Sequence, residues 1–165
     1  MSTIVTLTTS EVRICTMLGM ERWFEKKGSQ DRPGYAIGKA AGALEHELLA
    51  NVRANVAEYA VAKHFAQPWT VPWYPNEEHK QRKDHPDVGR NIEVRVVRTK
   101  NAVPVWDKDI NKQAIIVGCK VIDDEHFTEV EIFGWFPAIE AQRPEWLDKL
   151  GAYRIPIGEF NTHGT

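Results

Sequence analysis

The fold turns on the stretch Asp87-Val88-Gly89-Arg90-Asn91-Ile92-Glu93-Val94-Arg95. Its second half opens an apolar, alternating run that continues through Val96 and Val97 and is the clearest strand pattern in the chain. Successive strand residues point to opposite faces. Ile92, Val94 and Val96 are therefore expected to face a core, with Glu93 and Arg95 projecting together from the other side. Gly89-Arg90-Asn91 has turn chemistry. A reversal there brings Asp87 back toward Glu93, six residues further on.

The segments before and after this strand differ in pattern. Thr8 and Glu11 form a capping-box signature, and a helix follows to about Lys27. Gly28 to Gly34 reads as a loop. A longer helix spans about Ala43 to Phe65, ended by Pro68, with an apolar stripe of Leu44, Leu48, Val52, Val56 and Tyr59. Beyond Pro68, Trp69 to Tyr74 is a short strand interrupted by Pro72, and residues 76–86 form a polar loop. Ala114 to Ile122 and Glu129 to Phe136 are strands expected to pair antiparallel across Asp123-Asp124-Glu125-His126. Pro144 opens a short helix over Glu145 to Leu150, closed by Gly151, and Tyr153 to Ile157 supplies a last strand. Helices first and strands after predict an α+β fold. One domain over residues 1–165 is expected, with a helical region at 8–66 and a β-rich core at 69–160.

A chain of 165 residues can bury a core without disulfide staples. No run approaches the roughly 20 apolar residues of a membrane helix, and no basic-then-apolar leader opens the chain. Cys15 and Cys119 are too few for a disulfide framework or a zinc site. A cytoplasmic protein without a membrane partner is expected. The net charge of −2 argues against uniform nucleic-acid affinity. Yet residues 80–112 hold nine Lys/Arg against five acids, so that segment is +4 while the remainder is −6. Arg90, Arg98 and Lys100 are the candidates there for contacting phosphates, although such a run also describes a solvated face.

Two carboxylates and a cation converging on a small space suit metal-assisted phosphodiester cleavage. Mg²⁺ prefers hard oxygen ligands, lowers the pKa of a bound water, and works beside a cation that stabilises charge on the phosphate. Asp87, Glu93 and Arg95 offer these functions. On spacing alone, the same residues describe a half-buried strand with a charged outer face. Glu58 stands off the helix stripe with Ala54, Asn55, Val61 and Ala62 as its i±3 and i±4 neighbours, and by helix position alone reads as solvated. His79 and His85 read as surface residues. Trp69, Trp73 and Tyr74 read as core rather than a base-stacking platform, and Trp106-Asp107-Lys108-Asp109 reads as a turn rather than an extension of the acidic site.

Asn55-Val56-Ala57-Glu58-Tyr59-Ala60-Val61-Ala62-Lys63, then Pro86-Asp87, then Glu93-Val94-Arg95 together resemble the PD-(D/E)XK nuclease superfamily. The likeness is to small phage-encoded members with a "GE-x-A-V-A-K" helix, a "PD-V-G" step and an "E-V-R" strand. It covers about residues 50–100 and, more loosely, Gly134-Trp135-Phe136. The resemblance implies a restriction-endonuclease-like core, a mixed β-sheet flanked by helices. It also implies a phage or prophage endo- or exodeoxyribonuclease acting on DNA with Mg²⁺ or Mn²⁺. Asp87 and Glu93 would hold the metal, Glu58 would be the helix acid directed toward it or its waters, and Arg95 would stabilise the transition state. Arg95 stands where the superfamily usually has Lys, and an arginine stays protonated and cannot act as a general base. Asn51 stands near where members often carry Gly. The alternative is a catalytically inactive nuclease-fold protein that binds nucleic acid or a protein partner. A homo-oligomeric state is left open.

Overall fold

The computed structural model describes residues 2–28, 43–70, 85–98 and 101–161. Strand β1 (Thr3–Thr6) leads into helix α1 (Thr9–Gly28) and helix α2 (Ala43–Phe65). Then come β2 (Ile92–Val96), β3 (Ala102–Val105), a short helix α3 (Asp107–Asn111), β4 (Ile115–Val121), β5 (Glu129–Pro137) and β6 (Tyr153–Pro156). The α+β class and the mixed sheet flanked by helices agree with the sequence. No described helix is long and apolar enough to cross a membrane.

The main sheet has the order β1-β5-β4-β2, with β2 and β4 parallel and the other pairs antiparallel. The β4–β5 hairpin is the one expected across residues 123–126. A second, two-stranded sheet joins β3 to β6. β1 and β3 were not apparent in the sequence. β1 has only four residues, and Pro104 interrupts β3, which tolerates it because a two-stranded ribbon leaves an open edge on each strand. The helix expected over Glu145 to Leu150 is instead a 3₁₀ turn at Pro144–Trp146. Asp148 captures the Leu150 and Ala152 N–H groups at 2.8 and 3.0 Å and the Arg154 Nε at 2.6 Å, which draws the backbone away from a helix.

Two cores lie on opposite faces of the main sheet. On one, α2 contributes Val52, Val56, Ala57, Ala60 and Val61 against Val94, Val117 and Cys119. On the other, Val97, Ile116 and Phe136 pack with Val103, Val105, Ile110 and Ile155. One extra residue in β5, Phe133, opposes the Gly118/Cys119 step, so Ile132 and Trp135 both join the first core while Phe136 joins the second. α1 covers the outer side of α2. Its Gly19 lets the helices approach, since a β-carbon there would stand 2.9 Å from the Val52 Cα. The expected Thr8 cap is present: Thr8 N–H donates to Glu11 Oε2 at 2.7 Å and Glu11 N–H to Thr8 Oγ1 at 3.3 Å.

Candidate active site

The turn before β2 builds the site. Val88 and Ile92 exchange backbone hydrogen bonds of 3.1 and 3.2 Å, closing a hairpin over Gly89-Arg90-Asn91. Gly89 takes φ +60°, a conformation that costs little only without a β-carbon. Trp69 bridges the other side of Val88, and Gly89 N–H donates to the Pro68 carbonyl at 2.8 Å. Asp87 is thereby fixed beside β2, where its Oδ2 accepts the Val94 N–H at 2.8 Å. β2 is an edge strand of the main sheet, so Val94 presents both backbone groups away from β4: the N–H to Asp87 and the carbonyl to Arg95 Nη1 at 3.1 Å.

Glu93 and Arg95 project together, as the strand period requires, but not into solvent. Their face is covered by the second core and α3, and Glu93 is 6% exposed. Arg95 Nη1 lies 3.3 Å from Glu93 Oε2 and 3.8 Å from Asp87 Oδ2. Three oxygens from one short stretch of chain thus converge on a single nitrogen. The other guanidinium nitrogen, Nη2, lies 2.7 Å from Oδ1 of the fully buried Asp109. Asp109 Oδ2 accepts the Trp106 N–H at 3.0 Å at the start of α3. Lys112 Nζ approaches Glu93 Oε1 at 3.8 Å. Burial raises the Glu93 pKa, and the nearby Asp87 charge adds to this against the pull of Arg95. Burial opposes the Arg95 charge too, but Asp109, Asp87 and Glu93 outweigh it and hold the guanidinium protonated.

Glu58 is 4% exposed, so the solvated position read from the helix is incorrect. α2 is covered by α1 on one side and the sheet on the other, which leaves its centre no wet face. Arg22 Nη1 from α1 meets Glu58 Oε1 at 3.1 Å, and the Trp69 indole N–H donates to Oε2 at 3.3 Å. Burial, then the nearby Asp87 charge, raises its pKa to about 7 against the opposing pull of Arg22. Asp87 thus acts electrostatically on both Glu58 and Glu93. The three carboxyls do not form one cluster, and among the described residues no group of three His, Cys, Asp or Glu side chains is placed to hold a metal ion.

Arg90 and Arg98 are exposed, the first on the turn and the second just past β2. Lys100, His79, Trp73 and Tyr74 lie outside the described residues, and His85 is exposed. Arg22 and Lys112 are not among the sequence candidates, and Asp109 lies in helix α3 rather than in the turn its sequence suggests. The signal for Asp109 was its place three residues after Trp106, the N3 acid of a helix start. Nothing local marks Arg22, whose approach depends on how α1 crosses α2.

The donor set can be tested against a divalent ion. Mg²⁺ takes one or two carboxylates, keeps several waters and accepts substrate phosphate oxygens. Asp87, Glu93 and the Val94 carbonyl are hard oxygen donors of that kind aimed at one point, so they suit such an ion in exchange for the guanidinium nitrogen. Comparison with protein-family models, with curated proteins and with solved structures finds no match for this chain.

Proposed function

We propose that the protein is a metal-dependent nuclease that hydrolyses phosphodiester bonds in DNA, with a restriction-endonuclease-like core of the PD-(D/E)XK kind. The observation that carries this reading is the convergence of Asp87 Oδ2, Glu93 Oε2 and the Val94 carbonyl on one cationic atom. A Mg²⁺ or Mn²⁺ ion held by these oxygens would polarise the scissile phosphate and acidify a water. Asp87 and Glu93 bind and orient, each fixed by backbone or strand geometry. Displaced from the oxygens, Arg95 Nη1 turns toward the phosphate and stabilises its developing charge while Asp109 retains Nη2. Glu58, with a pKa of about 7 beside Asp87, takes up a proton near neutrality.

The test is nicking of plasmid and single-stranded DNA with Mg²⁺ or Mn²⁺ against a chelated control. Asp87→Asn and Glu93→Gln should each abolish cleavage while the protein stays folded. Arg95→Ala should cost on the order of 3 kcal/mol in the cleavage barrier, about a hundredfold in rate. Wild type inert on both substrates overturns the reading. A second reading, an inactive nuclease-fold binder, is favoured by one observation: the chain already supplies a cation to the three oxygens, anchored by a buried acid. DNA binding that needs no divalent ion, without cleavage, would select it.

A further inference from the structure

A cavity of about 90 Å³ lies at the carboxyl ends of the parallel strands β2 and β4, between Val97, Arg98, Lys120 and Val121 and the helix residue Arg53. Three cations line it against a single acid, Asp124. That acid is committed: its Oδ1 lies 3.0 Å from both Nε and Nη2 of Arg53. Arg98 and Lys120 are exposed and join no acid among the described residues. Arg53 is 6% exposed and lies over the Phe127 ring, yet its buried Nη1 has no hydrogen-bond partner among the described residues. Two exposed cations, the buried Arg53 guanidinium held on Asp124, and valine side chains line a recess with an excess of positive charge, suited to a compact oxyanion.

We propose that this cavity binds a phosphate group, with the exposed Arg98 and Lys120 as its donors and the buried Arg53 guanidinium as a fixed positive charge beside them. Arginine forks match phosphate geometry, and lysine adds a mobile point charge. The proposal stands on the cavity's own residues and does not require the acid site to cleave anything. It also gives Arg98 a role that its position past β2 leaves open. Counted along the backbone at about 3.3 Å per residue, the Arg98 end of the cavity is about 10 Å from Arg95.

The experiment is calorimetric and thermal titration of the whole protein with inorganic phosphate, in chelator and against chloride at matched ionic strength. Saturable binding is expected, with a rise in melting temperature that chloride does not give. Arg98→Ala with Lys120→Ala should weaken phosphate binding at least tenfold and leave the unliganded melting temperature within error, because both side chains are exposed. Asp87→Asn should leave phosphate binding unchanged, which separates this site from the acid cluster. Competition by a 5′-phosphorylated oligodeoxynucleotide but not its 5′-hydroxyl form would identify a terminal nucleic-acid phosphate as the source. Competition by both would identify the backbone, and by neither a small phosphate compound, each consistent with the site. No saturable phosphate binding, or equal binding by the double variant, overturns the proposal.

Discussion

Glu58 lies buried between α1 and the sheet, with Arg22 and the Trp69 indole on its carboxylate and the Asp87 charge nearby. Its folded pKa of about 7 lies above the ordinary 4.5, so the native state holds a proton that the unfolded chain has released. Below pH 4.5 both states are protonated and Glu58 has no effect on stability; as pH rises toward 7 and beyond, ionising it in place becomes a growing cost. In metal-free buffer the stability of Glu58→Gln relative to wild type should therefore grow by about 3 kcal/mol between pH 4.5 and 8, measured by urea unfolding. A pH-independent difference would mean that folding leaves the Glu58 pKa at its ordinary value. Asp109 makes the opposite case, a buried acid whose role is to hold a cation. Asp109→Asn removes that counter-charge from Arg95 and should cost about 3–5 kcal/mol in the same measurement.

The three-residue hairpin before β2 was the most legible part of the site. Gly89-Arg90-Asn91 carries its own turn chemistry, and the strand period then places Glu93 and Arg95 together. The decisive residue is Gly89, at φ +60°. Gly89→Val should cost about 1–2 kcal/mol or more and reduce cleavage by loosening Asp87, whereas Gly89→Asn, at home in this conformation, should be nearly neutral. Equal effects of the two would show that the turn is not under this constraint. Thr8→Ala should cost about 1 kcal/mol at the α1 cap without touching activity. Asp109 and Arg22 were less legible because they reach the site by non-local routes. Asp109 arrives through the crossover from β2 to β4, and Arg22 through the packing of α1 on α2 at Gly19. Their local sequence carries no record of where those elements dock.

Across the whole molecule, both faces of the main sheet are covered, and this accounts for the largest difference between expectation and structure. Alternation in β2 promised one wet face; instead Glu93 and Arg95 lie under the second core, where unpaired charge is costly. The site answers with three acids, Asp87, Glu93 and Asp109, around Arg95 and Lys112, leaving one negative charge in excess. The proposed divalent ion would take up this excess once the guanidinium yields its place. Arg95→Lys keeps a charge but loses the fork that reaches Asp109 and the three oxygens at once, so it should compete less and cleave at least as fast as wild type. Titration of wild-type protein with Mn²⁺ decides whether Asp87 and Glu93 hold an ion. Saturation at one ion per chain is expected, weakened at least tenfold by Asp87→Asn; no saturable Mn²⁺ binding by a folded wild-type protein would rule out a metal at these acids.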